Sequence, residues 1–282
     1  MEDRPTAVVT GASGGIGLET ARALARGGYH VVLLCRNAER ADAARADIVS
    51  TVPQASLDIV LADLSRMNQV RTAASEINDR LQRLDVLINN AGVVARHREW
   101  TADGVDLPLA TNHLGPFLLT ILLVPLLKKS APSRIVNVAS EAHKFGRLQL
   151  DNLENPRAYG PLGMRRYGET KLMNILFTRE LARRLTGTGV TVNAVHPGTV
   201  ATNLGGPPKL FAKLSSPFMR TPTEGAVTLI VVATDPSLEA VTGGYFVNGK
   251  RADNKLSRQA QDDELAKALW EHSERLTNGH LA

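Results

Sequence analysis

Short apolar runs, many of them β-branched, alternate with longer amphipathic stretches along nearly the whole chain. The runs predict seven strands: Thr6–Thr10, His30–Cys35, Leu57–Leu61, Val86–Asn89, Arg134–Ala139, Val190–Val195 and Tyr245–Asn248. The stretches predict helices at Ile16–Arg26, Ala38–Val49, Met67–Leu81, Leu107–Leu127, Tyr167–Leu185 and Thr223–Thr234, with a last one beginning near Asp262. Strands apolar on both faces are typical of a parallel sheet covered on both sides. We expect an α/β, doubly wound, seven-stranded parallel sheet with helices on both faces.

A glycine-rich turn separates the first strand from the first helix. It reads Thr10-Gly11-Ala12-Ser13-Gly14-Gly15-Ile16-Gly17. Glycines permit a tight turn and let the backbone approach a pyrophosphate, which the free N–H groups of the following helix can bind. In a doubly wound sheet the ligand lies at the carboxyl ends of the strands, where Asn89, Ser140 and His196 also fall. The pattern predicts a single dinucleotide-binding Rossmann domain over residues 1–282.

The residues after the second strand indicate which cofactor is preferred. An NAD enzyme usually carries an acidic residue there to bind the ribose 2′-hydroxyl. Here the chain reads Cys35-Arg36-Asn37, and a guanidinium can pair with a 2′-phosphate. We therefore predict NADP(H), bound by Arg36 and Asn37. The alternative is that Arg36 is an ordinary surface residue. Asp63, followed by Leu64 after the third strand, is a candidate ligand of the adenine amino group.

Tyr167 and Lys171 place a phenol and an ammonium on the same face of a predicted helix. A tyrosine is a poor acid–base catalyst near neutral pH unless its pKa is shifted, and a neighbouring cation favours the phenolate. Ser140, at the end of the fifth strand, could donate a second hydrogen bond to a substrate oxygen, and Asn112 could hold water behind Lys171. A dinucleotide turn combined with these groups predicts hydride transfer to or from a carbonyl.

The chain resembles the short-chain dehydrogenase/reductase family along nearly its full length. The matching motifs are Thr10–Gly17, Asp63, Asn89-Asn90-Ala91-Gly92, Asn112, Ser140, Tyr167 with Lys171, and Pro197-Gly198. The resemblance implies a catalytic tetrad of Asn112, Ser140, Tyr167 and Lys171. It further implies that cofactor contacts come from Asn90, Ala91, Gly92, Tyr167, Lys171, Pro197 and Gly198. Thr202 and the backbone of Val200 would meet the nicotinamide carboxamide.

Within that family the chain looks most like the retinol dehydrogenase and WW-domain oxidoreductase branch. The stretches that carry this likeness are Leu34–Asn37, Thr111–Gly115, Ser140–His143, Lys171–Phe177 and Val195–Val200. The 26 residues between Ser140 and Tyr167 also fit the branch, whose insert at this place is long. Secondary-metabolite ketoreductases resemble it too. The implied substrate is a small-molecule carbonyl or alcohol, either retinol-like or another lipophilic ketone or aldehyde.

Composition narrows the setting of the protein. The net charge is +5, but the basic residues are scattered, so we expect no nucleic-acid partner. The single cysteine, Cys35, fits a reducing compartment. The first strand follows Met1–Pro5 directly, and the longest apolar run, Phe117–Leu127, is too short to cross a bilayer. We expect a cytoplasmic protein without a membrane span, and no metal site, because no cluster has metal-ligand spacing.

Several alternatives stay open on the sequence. A non-catalytic NAD(P)-binding regulator and a nucleotide-sugar epimerase or dehydratase of the extended branch are the rival functions. Asn89 and Asn90 could pin strand ends, and His113 or His196 could be packed structural residues. His143 could line the substrate pocket or lie in a solvated loop. Helices Leu107–Leu127 and Tyr167–Leu185 could form the face of a homodimer.

The segment 202–223 has no strand-like alternation. It opens with Gly205-Gly206-Pro207-Pro208, closes at Pro222, and carries an apolar stripe of Leu210, Phe211, Leu214, Phe218 and Met219. A short helix packed on the core is one reading. A lid beside the nicotinamide is the other, because the segment begins just after Pro197-Gly198 and closure would exclude water. A lid of this composition favours a lipophilic substrate.

Overall fold

The computed structural model describes residues 4–154, 159–200 and 219–281, which contain an eight-stranded sheet. The strands are β1 (Thr6–Thr10), β2 (His30–Cys35), β3 (Ser56–Leu61), β4 (Val86–Asn89), β5 (Ser133–Val138), β6 (Val190–His196), β7 (Tyr245–Val247) and β8 (Lys250–Arg251). Their order across the sheet is β3-β2-β1-β4-β5-β6-β7-β8. The chain reverses its direction of winding between β1 and β4, and a crevice opens there at the carboxyl ends of the strands.

Helices cover both faces of the sheet. They are α1 (Gly15–Arg26), α2 (Ala38–Thr51), α3 (Met67–Arg80), α4 (Leu107–Lys129), α5 (Met164–Arg184), α6 (Pro222–Thr234) and α7 (Asp263–Thr277). One apolar layer joins the sheet to α1, α2 and α6, and a second joins it to α3, α4 and α5. The helix ends follow the capping rules: Thr221 and Glu224 form a capping box at α6, and Asp262 accepts from Leu265 N–H at α7.

The seven predicted strands are all present and pair in parallel, but the prediction omitted an eighth strand. β8 pairs with β7 in antiparallel fashion. The two strands are joined by Asn248 and Gly249, whose φ angles are 53° and 71°. Two consecutive left-handed residues make the type of turn that matches the twist of a hairpin, and Asn-Gly is its strongest sequence signal. The all-parallel expectation therefore needs this correction at the edge of the sheet.

Helix α4 is long and apolar enough, by length and composition, to cross a membrane. Its mean hydropathy is 1.6 over the best window, but 89% of that window is buried inside the fold. Such burial is expected for a core helix between a sheet and its neighbours. The predicted apolar run was thus shorter than the helix that contains it.

Helix α7 covers the outer face of α4 and α5. The Trp270 ring lies 4.9 Å from the Phe117 ring and 6.0 Å from the Phe177 ring, and the Arg184 guanidinium lies 4.3 Å above the Trp270 ring. His113 on α4 also shares a hydrogen bond of 2.8 Å with Ser273 on α7. The face that the sequence suggested for a homodimer is, at these positions, covered within the chain.

Candidate active site

The glycine turn is shaped by two left-handed residues and one close approach. Gly11 and Gly15 have φ angles of 66° and 56°, which favour glycine. A Cβ on Gly17 would overlap the Gly11 carbonyl oxygen and lie 2.5 Å from the Asn90 amide nitrogen. Glycine at position 17 therefore lets α1 start directly against the end of β1.

The outer side of this turn is open and suits an anionic ligand. Gly14 is exposed, and a Cβ built on it would meet no atom within 4 Å. The N-terminus of α1 has no side-chain cap and no acidic residue in its first turn, so its N–H groups and positive dipole end are available. Ser13, Gly14, Gly15 and Ile16 lie along this cradle, which fits the diphosphate of a dinucleotide.

Asn90 and Thr10 clamp the glycine turn to β4. The Thr10 hydroxyl accepts from the backbone N–H groups of Asn90 and Ala91, both at 2.9 Å, and the Asn90 side chain donates to the Thr10 carbonyl oxygen at 2.9 Å. Asn89 instead donates at 2.8 Å to both Thr120 on α4 and Asn137 on β5. These bonds show the strand-pinning role for both asparagines and keep Ala91 beside the cradle.

The segment expected to select the cofactor lies against the same turn. The Cys35 thiol lies against Ser13 and Ala12, and burial raises its pKa to about 11. Arg36 follows at the surface and is exposed. Asn37 caps α2 by accepting from the Arg40 N–H at 2.9 Å. The Asn37 oxygen is therefore used by the fold, and the groups that could donate to a 2′-phosphate are the Asn37 amide N–H groups and the exposed Arg36.

Asp63 and Leu64 lie where β3 leaves the sheet. The Asp63 carboxylate accepts from Ser65 N–H at 2.9 Å, and its own N–H donates to Gln69 at 2.8 Å, so the side chain is held in a turn. Leu64 is buried, and a Cβ on Gly115 would overlap its carbonyl oxygen. Helix α4 thus packs directly on the loop that presents Asp63.

Tyr167 and Ser140 come together although they are far apart in sequence. Tyr167 lies in the first turns of α5, and Ser140 follows β5 with an extended backbone that caps a 3₁₀ turn, Glu141–Phe145. The Ser140 hydroxyl lies beside the Tyr167 phenol and accepts from Ala142 N–H at 3.2 Å. Burial raises the pKa of Tyr167 to about 12, and the neighbouring Ser140 hydroxyl opposes that rise.

Lys171 is buried one helical turn beyond Tyr167. Its ammonium donates to the Val138 carbonyl oxygen at 2.8 Å and lies 5.5 Å from the centre of the Tyr167 ring. Burial lowers the pKa of Lys171 to about 8. The sequence predicts that the lysine lowers the tyrosine pKa. In the structure the desolvation of the phenol outweighs that effect, because the ammonium donates to a backbone oxygen.

Asn112 sits in a π-helical turn, Ala110–Leu114, within α4. Its side-chain oxygen accepts from Val93 N–H at 2.7 Å, and its amide nitrogen donates to the Val93 carbonyl oxygen at 2.9 Å and to the Thr170 hydroxyl at 3.0 Å. Both N–H donors of the Asn112 amide are therefore used by protein groups, and the expectation that Asn112 holds water behind Lys171 stays a prediction. The side chain ties the β4 loop to α5, and π-helical turns of this kind are frequent at functional sites.

The residues on the other wall follow β4 and β6. A Cβ on Gly92 would lie 3.4 Å from the Asn112 oxygen and 3.6 Å from the Lys171 ammonium, so this glycine lines the same space. Gly198, after Pro197, has a φ of 88° and faces the Arg220 side chain. Val200 pairs with Arg220 as an isolated bridge. Thr202 and most of the proposed lid, 202–218, lie outside the described residues.

A buried ionic cluster next to Tyr167 was missed from the sequence. Arg166 has a side chain only 1% exposed, and it bonds Asp106 at 2.8 Å, Glu169 at 3.0 Å and the Leu153 carbonyl oxygen at 2.8 Å. The Tyr159 hydroxyl donates to the second oxygen of Asp106. The cluster joins the loop before α4 to the insert after Ser140. Two consecutive arginines are typical of a solvated helix end. The only signal of a buried cluster was that they directly precede Tyr167.

His113, His143 and His196 are all buried. Burial lowers the pKa of His113 to about 3 and that of His196 to about 4, so both are neutral near pH 7. His143 is fully buried, and its Nδ1 lies 2.7 Å from the Ser140 carbonyl oxygen. Neither the pocket-lining nor the solvated reading of His143 fits these contacts. Within the described ranges, no group of three His, Cys, Asp or Glu side chains is placed to bind a metal.

This geometry agrees with comparisons to known proteins. A family model described as short chain dehydrogenase matches residues 5–152, which is more than half of the chain. The chain belongs to this family. Mouse (Mus musculus) retinol dehydrogenase 14 is 42% identical over 286 residues, covering 95% of this chain and 84% of that protein. Human (Homo sapiens) retinol dehydrogenase 11 is 43% identical over 269 residues, covering 94% and 83%.

Solved structures agree with the family and the fold. A crystal structure of an uncharacterized protein from Mycobacterium Paratuberculosis is similar with a TM-score of 0.78 and 34% identity, covering 99% of this chain and 97% of that one. A variant of actinorhodin polyketide ketoreductase, solved with NADPH, has a TM-score of 0.68 and 26% identity, covering 87% and 96%. The chain is thus a retinol dehydrogenase-like, nicotinamide-dependent oxidoreductase acting on alcohol or carbonyl groups.

Proposed function

We propose that the protein transfers hydride between NADP(H) and a lipophilic ketone, aldehyde or the corresponding alcohol. The observation that carries this proposal is the meeting of Ser140, Tyr167 and Lys171 beside Gly92 and the open glycine turn. The bound nicotinamide would supply or accept the hydride. A protonatable phenol with a second hydroxyl beside it is the arrangement that a carbonyl oxygen needs as it gains charge.

Each side chain has a separate task in this scheme. Because its pKa is raised to about 12, Tyr167 carries its proton near pH 7 and can donate it to the substrate oxygen in reduction. Ser140 holds the same oxygen with a hydrogen bond. Lys171 keeps a positive charge within reach of the phenol, which stabilises the phenolate formed after proton transfer. In oxidation the same groups act in reverse.

The preference for NADP(H) over NAD(H) rests on Arg36. The Gly11 N–H donates to the Leu34 carbonyl oxygen at 2.9 Å, which brings the exposed Arg36 near the cradle. No carboxylate stands in Cys35-Arg36-Asn37, directly after β2, to repel a 2′-phosphate. An exposed arginine pairs with phosphate through two parallel hydrogen bonds, which the 2′-hydroxyl of NAD(H) cannot match. The NADPH in the ketoreductase structure is in line with this choice.

A lipophilic substrate is supported by the apolar residues around the start of α5. Phe145 and Leu162 are 73% and 57% exposed. Gly146, next to Phe145, packs on the backbone of Gly168, and Gly163, next to Leu162, packs on the Ala95 carbonyl oxygen. Phe145 is therefore one residue away from a backbone contact beside Tyr167, and Leu162 precedes Tyr167 by five residues. Exposed apolar groups at the mouth of a site favour an apolar ligand, and the similar curated proteins named above are retinol dehydrogenases.

The test is a steady-state screen with purified protein. NADPH and NADH consumption is followed with retinal, a long-chain aldehyde, a bicyclic ketone and a small 2-oxo acid. We expect turnover of the apolar carbonyls with NADPH, and a higher KM with NADH. If the protein binds NADPH but turns over no carbonyl with NADPH and no alcohol with NADP, the non-catalytic regulator is favoured instead. A better kcat/KM for the 2-oxo acid would refute the lipophilic assignment.

A further inference from the structure

His143 is a fully buried imidazole whose two ring nitrogens both have partners. Nδ1 lies 2.7 Å from the Ser140 carbonyl oxygen, and Nε2 lies 3.2 Å from the backbone nitrogen of Ser257. A backbone N–H can only donate, so Nε2 must be the unprotonated acceptor. The proton of the neutral ring is then on Nδ1 and is donated to Ser140. The contacts therefore define a single tautomer.

This ring holds the backbone of Ser140 in place. The Ser140 carbonyl oxygen accepts from the Nδ1–H and, at 3.1 Å, from the backbone N–H of the same histidine. The Ser140 hydroxyl meanwhile lies beside the Tyr167 phenol and accepts from Ala142 N–H. With the carbonyl fixed from one side, rotation of the serine about its own backbone is restricted. The direction of its hydroxyl is restricted with it.

The imidazole is itself anchored by a segment more than 100 residues further along the chain. Ser257 binds Nε2, and the Gln259 side chain accepts from Leu148 N–H at 3.2 Å and donates to the Leu148 carbonyl oxygen at 3.1 Å. The Tyr245 ring on β7 packs edge-on against the imidazole, with 5.5 Å between the centres. The loop after Ser140 is therefore tied at two points to the segment that precedes α7.

We propose that His143 is a positioning residue that aims the Ser140 hydroxyl at Tyr167 through its Nδ1–H bond, with Ser257 fixing the tautomer. The proposal rests on the proposed function, because Ser140 is catalytic only in that reaction. It assigns a role in the reaction to a residue that touches neither cofactor nor the reacting atoms. It also makes the segment around Ser257 part of the support of the active site.

Two amide variants test the two hydrogen bonds of the imidazole separately, one at Nδ1 and one at Nε2. In His143→Asn the amide N–H is near the position of Nδ1 and can still donate to Ser140, whereas nothing reaches Ser257. In His143→Gln the amide reaches towards Ser257 and the donor to Ser140 is lost. We expect His143→Asn to keep kcat within about threefold, and His143→Gln to lower kcat about tenfold or more, since misplacing a hydrogen-bond donor is costly in the transition state. The KM for NADPH should stay unchanged in both.

A control variant at His30 and the ¹⁵N shifts of the imidazole, which need no turnover, complete the test. His30→Asn removes a partly buried histidine that bonds Ser56 at the opposite edge of the sheet, and it should leave kcat unchanged. In the wild type, ¹⁵N shifts of the imidazole should show a neutral ring protonated at Nδ1. An Nε2–H tautomer overturns the proposal, as do equal kcat values for the Asn and Gln variants. A wild type without carbonyl turnover would refute the proposed function. The tautomer would still test whether His143 donates to Ser140 and accepts from Ser257.

Discussion

The Lys171 ammonium and the Val138 carbonyl oxygen form a buried hydrogen bond of 2.8 Å. The Asn174 side chain donates to the same oxygen at 3.2 Å. Val138 is the last residue of β5, two positions before Ser140, so both bonds lock the first half of α5 to the end of that strand. These two bonds explain how Ser140 and Tyr167, which lie on different elements, come to lie side by side.

Tyr167→Phe should nearly abolish turnover while leaving the fold and NADPH binding intact. The change removes one hydroxyl from a site where acid–base help is worth roughly 10²–10⁴-fold in rate. The measurement is kcat for the best carbonyl of the screen, with NADPH affinity from fluorescence titration. Tyr29→Phe, just before β2, is the matched control and should keep full activity. A Tyr167→Phe enzyme within a few-fold of wild type would show that another group donates the proton.

The Lys171 pKa predicts a fall in reductive activity on the alkaline side. Burial lowers that pKa to about 8, so the ammonium is lost as pH rises through that value, whereas Tyr167, with a pKa raised to about 12, keeps its proton. We expect kcat/KM for NADPH, which reports the free enzyme, to decrease above about pH 8. Lys171→Arg keeps its charge at these pH values and should remove the inflection. An unchanged inflection in that variant would assign it to a different group.

The sheet was predictable from sequence because buried parallel strands are nearly continuous apolar runs. His30–Cys35 and Val86–Asn89 match the structure at both ends, and β3, β5, β6 and β7 differ by a single residue at one or both ends. Helical spacing predicted that Tyr167 and Lys171 share one face, and the family resemblance placed Ser140 with them. Their catalytic roles remain predictions that the variants above test.

What the sequence did not predict depends on long-range contacts. No residue type marks the π-helical turn around Asn112. The Val93 backbone, which hydrogen-bonds the Asn112 side chain, comes next to it only after folding. The prediction that the Tyr167 pKa is lowered was also wrong. The spacing places a lysine near the phenol but does not show that the ammonium donates its hydrogen bond to Val138. Desolvation at a site is a property of the packed molecule.

Arg36→Asp should move the cofactor preference from NADPH towards NADH. A carboxylate repels the 2′-phosphate and can accept a hydrogen bond from the 2′-hydroxyl of NADH. The ratio of kcat/KM for the two cofactors should fall by at least about tenfold, which corresponds to roughly 1.4 kcal/mol. Arg45→Asp, on the exposed part of α2, makes the same change of charge away from the turn and should leave the ratio unaltered. Equal KM values for both cofactors in the wild type would contradict the role of Arg36.

Neighbouring arginines provide a matched test of the buried cluster. The Arg166 side chain is 1% exposed and bonds Asp106, which is 0% exposed, whereas the Arg165 side chain is 44% exposed and reaches Glu169 at 3.3 Å. Removing one partner of a buried pair leaves an uncompensated charge and costs about 3–5 kcal/mol, while an exposed pair contributes about 0–1 kcal/mol. Both residues lie in the first turn of α5, so helix propensity and position are alike.

Arg166→Met should therefore lower the free energy of unfolding by about 3–5 kcal/mol, and Arg165→Met by less than about 1 kcal/mol, as measured by urea denaturation. Adding Asp106→Asn to Arg166→Met should recover part of the loss, because the stranded carboxylate is then neutral. If both single variants unfold at the same urea concentration, the cluster does not stabilise the fold. If the double variant is as unstable as the sum of the two single changes, Asp106 and Arg166 are not energetically coupled.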